Sequence, residues 1–157
     1  MAILLMRHGE AGEAGPHWPD DRLRPLTGAG IREAKFSGEL LHTLGWRPSR
    51  MLASPYLRTL ETAREFLAAF KKPPHLESEP ALQPGGRLAV ILERIRATAA
   101  DELLCICGHQ PDMGGLADEL GHALDFKKGA LALLQSRNAG RPMKLLLFIE
   151  PRAWNSR

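Results

Sequence analysis

Cysteine is scarce in this chain, with two in 157 residues, and a chain of this length can bury a core without disulfides or structural metal. Cys105 and Cys107 stand as C-x-C inside an apolar run. On a strand both would point to one face, a placement that suits small core hydrophobes and rarely a disulfide. There is no C-x-x-C pair and no H-x-x-x-H run, and the six histidines are scattered, so no metal site is expected. No apolar stretch approaches the ~18 residues of a membrane span. Residues 1–6, MAILLM, are too short for a secretory signal, lack a basic leader and run straight into Arg7. A cytoplasmic protein without membrane contact is expected. Charge of one sign is also lacking: the net charge is +3, which suits an anionic substrate and is too small for a nucleic-acid surface. There is no internal repeat or low-complexity tract, and nothing specifies an oligomeric state.

What is present is ordinary soluble composition, 44% hydrophobic and 25% charged, in a length that suits one domain over residues 1–157. Residues 2–6 read as a buried strand, followed by a Gly/Pro-rich stretch over 9–25, long enough to suggest a functional loop. Thr27 is the expected N-cap of a helix whose apolar positions include Ile31, Ala34, Leu41 and Leu44, stopped by Gly45 and Pro48. Residues 51–53 read as a second strand. Ser54-Pro55 then reads as an N-cap followed by proline at the first helical position, with Leu57, Leu60, Ala63, Leu67 and Phe70 on the buried face. Residues 75–86 read as extended and then loop-like. A helix follows on Leu88, Ile91, Leu92, Ile95 and Ala99, then a strand over 103–107. A helix from Pro111 to about Leu120, stopped by Gly121, precedes two further strands over 130–134 and 145–149. This alternation predicts a three-layer α/β/α sandwich on a mainly parallel sheet. The pair Lys127-Lys128 and the arginine-rich C-terminus read as solvated surface.

In open α/β sheets, sites form beyond the carboxyl ends of the strands. Just past the three predicted parallel strands stand Arg7-His8, then Ser54 to Thr59 with Arg58, then Gly108-His109. No carboxylate lies in these immediate turns. Two guanidiniums converging on one point make an anion pocket, since arginine is always charged and matches phosphate oxygens bidentately. Two imidazoles beside them supply a nucleophile and a proton-handling partner. Helices beginning near Pro55 and Pro111 would aim backbone N–H groups the same way. The set suits phosphoryl transfer better than acyl transfer, because its charge complements a dianion.

At these residues the sequence resembles a known family. Arg7-His8-Gly9 resembles the R-H-G signature of the histidine phosphatase (phosphoglycerate mutase-like) superfamily. Leu26-Thr27 with Gly30 resembles its L-T-x-x-G element, Ser54-Pro55-Tyr56-Leu57-Arg58-Thr59 with Thr62-Ala63 its S-P-x-x-R-T-x-x-T-A element, and Gly108-His109 its second-histidine element. The four occur in order along most of the chain. The resemblance implies His8 as phosphate acceptor, with Arg7, Arg58 and His109 completing the phosphate pocket and the Gln110 backbone adding a contact. The short stretch between the Arg58 helix and the His109 strand leaves little room for a large lid. The chain therefore looks most like the compact SixA-type phosphohistidine phosphatases. Ala81 stands where that branch's E-L-x-P-x-G element has its acidic residue.

The implied reaction is a metal-independent double displacement through phosphohistidine on His8, without cofactor. Arg7 and Arg58 would hold the equatorial oxygens, and His109 would bond the transferring group as a cation. An alkoxide leaving group needs a proton, and Ala81 removes the obvious donor, leaving Glu10, Glu77 and Glu79 as substitutes. A phosphoramidate carries its own proton, so a phosphohistidine protein is the favoured partner over a small phosphorylated molecule. Arg24 is expected to touch substrate from the 9–25 loop, while His17 and Trp18 pack within that loop. The alternatives are a small-molecule phosphomonoesterase of the same superfamily and a non-catalytic phosphate-recognition module, from which loss of the nucleophile would be expected.

Overall fold

The computed structural model of the chain describes residues 1–136 and 142–151; the arginine-rich C-terminus lies outside them. In chain order the elements are β1 (Ala2–Arg7), α1 (Gly28–Thr43), β2 (Arg50–Ala53), α2 (Leu57–Leu67), β3 (Leu76–Ser78), α3 (Leu88–Arg96), β4 (Leu103–Gly108), α4 (Asp112–Glu119), β5 (Leu131–Gln135) and β6 (Lys144–Ile149). The six strands form one sheet in the order β3-β2-β4-β1-β5-β6. β1 pairs parallel with β4, and β2 pairs parallel with both β4 and β3. β5 runs antiparallel to β1, and β6 antiparallel to β5. The sheet is thus mainly parallel, and the extended part of 75–86 is its short edge strand β3.

The period-2 alternation of the central strands decides the layers. Ile3 and Leu5 of β1, with Leu104 and Ile106 of β4, face α3 and α4, where Ile91, Ile95, Met113 and Leu116 close one core. Leu4 and Met6, with Cys105 and Cys107, face α1 and α2, where Leu41, Ala63 and Phe66 close the other. Each fully buried apolar side chain of this size contributes roughly 1.5–3 kcal/mol. The result is the expected three-layer α/β/α arrangement. Both cysteines are free and buried, and burial pushes their thiols well up, so they serve as core hydrophobes. α1 and α2 approach closely at Gly38, where an added Cβ would lie 2.2 Å from the Phe66 carbonyl oxygen.

Thr27 caps α1, its hydroxyl accepting from Gly30 N at 3.2 Å. Ser54 does not cap α2. That helix begins at Leu57 after Tyr56, which makes no side-chain cap bond. Its buried face also differs from the apolar reading: Arg58, Thr59 and Thr62 are buried beside Ala63, Phe66 and Leu67, whereas Leu57 and Leu60 are half-buried. Apolar periodicity misses this face because buried polar side chains share it.

Candidate active site

Parallel pairing places the carboxyl ends of β1, β2 and β4 side by side. The His8 backbone is held from three directions. His8 N donates to Gly108 O at 3.1 Å, Gly129 N donates to His8 O at 2.8 Å, and Gly9 N donates to Thr62 Oγ1 at 3.1 Å. The Thr62 hydroxyl in turn donates to Arg58 O at 2.7 Å, tying the end of β1 to the first turn of α2. Behind this turn Gly30 is obligatory, since a Cβ there would fall 2.1 Å from Glu10 O.

The four side chains singled out in the sequence meet here. The His8 and His109 ring centroids are 5.3 Å apart, and both residues are buried. Arg58 lies against both imidazoles. Its Nε donates to His8 Nε2 at 3.3 Å, and its second terminal nitrogen lies 3.5 Å from His109 Nδ1. Arg7 donates to Phe126 O at 2.8 Å, and its charge reaches both rings. Arg7 Nε is a buried donor without an acceptor among the described residues, as expected of a group that holds an anion.

The bonds fix the tautomers. The Gly9 carbonyl can only accept, so the proton of His8 sits on Nδ1, 2.7 Å away, and Nε2 keeps its lone pair. Arg58 can only donate, so His109 Nδ1 accepts, and its Nε2–H donates to Ser54 Oγ at 2.9 Å. Burial, opposed by the Gly9 carbonyl and reinforced by His109, Arg58 and Arg7, lowers the His8 pKa to about 3. Burial, then Arg58, lowers His109 to about 3 as well, against the attraction of Asp21. His109 is therefore neutral in the free protein. Desolvation and the charges of Arg58, Arg7 and Arg24 outweigh the one carboxylate nearby; the cation expected of His109 belongs to the complex with a transferring phosphoryl group, a different state of the site.

Three contributors escaped the sequence reading. Ser54, read as a helix cap, is the acceptor that orients His109. Tyr56 packs its ring edge-on to His109 at 5.1 Å and under the Arg58 guanidinium at 4.8 Å. Asp21, in a 3-10 turn of the long loop, binds Arg58 with both its carboxylate (3.0 Å) and its backbone carbonyl (2.9 Å). The only available sequence signal for Asp21 was its place in a polar turn within a loop already suspected of function.

Arg24 borders the site through Asp21, donating to its carboxylate at 2.9 Å and to Gly12 O at 2.8 Å. The Gln110 amide is engaged with Gly114 N and Asp125. His17 is exposed and Trp18 half-buried. Glu77 and Glu79 are held by Arg94, and Glu10 accepts from the Thr27 hydroxyl. Among the described residues no His, Cys, Asp or Glu cluster is placed to hold a metal ion. None of their helices is long and apolar enough to cross a membrane.

The sequence profile of the histidine phosphatase superfamily (branch 1) matches residues 3–84, which carry most of β1, then α1, β2, α2 and β3, and three of the four site residues, Arg7, His8 and Arg58. The chain belongs to the histidine phosphatase superfamily. An uncharacterised protein of Picosynechococcus sp. is 37% identical over 144 residues, covering 87% of this chain and 86% of that protein. Phosphohistidine phosphatase SixA of Escherichia coli is 29% identical over 122 residues, covering 76% and 74%. The solved structure of the protein histidine phosphatase SixA complexed with tungstate superposes with a TM-score of 0.86 at 25% identity, covering 98% of this chain and 99% of that one. Within the superfamily the chain is thus of the SixA type, and it is a phosphatase.

Proposed function

We propose that the chain is a protein phosphohistidine phosphatase that works through a covalent phosphohistidine on His8. The observation that carries this reading is the state of His8: a neutral imidazole whose Nε2 lone pair faces Arg58, with a second imidazole 5.3 Å away. The lone pair of Nε2 attacks phosphorus, the bond from phosphorus to the leaving nitrogen breaks, and that electron pair departs with the nitrogen. Positive charge left on the His8 ring is met by the Gly9 carbonyl at Nδ1. Arg7 and Arg58 hold the phosphoryl oxygens, and a dianion between the imidazoles favours proton uptake by His109. Water then attacks phosphorus and releases phosphate, restoring neutral His8. The names of the SixA relatives support the substrate class.

The test is phosphate release from a phosphohistidine protein and from p-nitrophenyl phosphate, by wild type and His8→Ala, in EDTA. The expected result is turnover of the phosphohistidine protein by wild type and none by the variant. Activity that survives the substitution rejects the nucleophile, and faster turnover of the monoester rejects the substrate class.

A further inference from the structure

Asp21 is a carboxylate at the mouth of the site. Its side chain is 47% exposed, while that of its partner Arg58 is 5% exposed, so it lies on the solvent side of the guanidinium. Burial disfavours its ionised form, yet the hydrogen bond from Arg24 and the charges of Arg58 and Arg24 prevail, and its pKa falls below the ordinary value. The groups that could have supplied a proton instead stand elsewhere. Ala81 is part of the core beneath α3, Glu79 caps Ala81 N and binds Arg94, and Glu77 also binds Arg94. His8 is buried, so it attacks from inside. A group leaving in line with that attack would depart on the open side of the site, and Asp21, exposed and bonded to Arg58, is the carboxylate whose charge reaches His109.

We propose that Asp21 sets the leaving-group preference of the site, favouring phosphoramidates whose departing nitrogen is protonated over phosphomonoesters that depart as oxyanions. This rests on His8 as the nucleophile. In a phosphoramidate the nitrogen carries its proton before the bond to phosphorus breaks. The electron pair of that bond cancels the positive charge, and the group leaves as a neutral amine or imidazole. Until it does, the fixed carboxylate attracts it. A monoester instead gathers negative charge on its leaving oxygen, against the same carboxylate and with no neutral acid beside it. Asp21 acts here as a positioning and specificity residue, and Arg24 holds its carboxylate in place.

The experiment compares kcat/KM for phosphoramidate with that for p-nitrophenyl phosphate in wild type, Asp21→Asn, Asp21→Glu and His8→Ala. Both probes place the same phosphoryl group in the pocket, so any change in Arg58 affects both, and their ratio isolates the leaving group. Asp21→Asn is expected to lower the phosphoramidate-to-ester ratio roughly tenfold, the size of effect expected from one partly solvated charge. Asp21→Glu should restore most of it, which a merely structural role for Asp21 would not produce. Should circular dichroism find Asp21→Asn unfolded, Asp21→Ser carries the same comparison. An unchanged ratio in a folded variant, with His8→Ala inactive, overturns the role of Asp21 alone. Activity of His8→Ala on both probes overturns the nucleophile, and this inference with it.

Discussion

Arg58 on the floor of the site and Arg24 on its rim carry the same guanidinium and share one carboxylate, Asp21, but they are held by different means. Arg58 is fixed by the first turn of a helix whose backbone is bonded to the end of β1, and it touches both imidazoles. Arg24 sits in a loop and meets His109 through its charge and through Asp21. One step further out, Arg22 is 67% exposed and paired with Asp20. Charge in the floor acts at low dielectric on groups that cannot move away, whereas charge on the rim is screened by water. Substitutions should therefore matter steeply on the floor and fade outward.

The sharpest test of that gradient is His8→Ala, expected to lower kcat by roughly 10⁴-fold or more, since the variant cannot follow the proposed covalent route through His8. Arg58→Ala should follow, lowering kcat/KM by roughly 10²–10³-fold through lost charge stabilisation. Both are read by steady-state kinetics on a phosphohistidine substrate. Ser54→Ala removes the acceptor for His109 Nε2–H and leaves a buried donor unpaired. It should lower stability by about 1–3 kcal/mol, measured by urea denaturation. Arg22→Gln should change kcat/KM by less than about twofold. An Arg22 effect as large as that of Arg58 would break the comparison.

Acid should expose the floor in another way. His8 and His109 are lowered from the ordinary 6.5 to about 3 in the folded protein. As pH falls through that window the unfolded chain binds protons that the folded chain does not, so the stability present above 6.5 is lost toward about 3. The urea midpoint of wild type should drop across this range, and His109→Gln should drop less. Equal acid sensitivity in the two would mean that His109 is not held neutral by its surroundings.

Much of this was legible locally. Continuous apolar runs marked β1, β2 and β4, Thr27 and Gly45 marked the ends of α1, and Arg7, His8, Arg58 and His109 stood directly beyond predicted strands. Strand length and polar turn chemistry are properties of neighbouring residues, so a sequence displays them. Ser54 was misread because its partner His109 is 55 residues away and a cap signal next to proline is the nearer explanation. β3 was too short to show alternation, and α2 concealed its buried face behind threonines and an arginine.

By itself, the sequence determined the layered α/β class, the two core faces of the central strands, and which four side chains gather at the strand ends, because periodicity and strand–turn order act over a few residues. Only the tertiary structure decided the strand order, the bond from Ser54, the arrival of Asp21 at Arg58 and the neutral state of His109. Those depend on which distant segments meet and how much water they exclude, and neither quantity exists until the chain has folded.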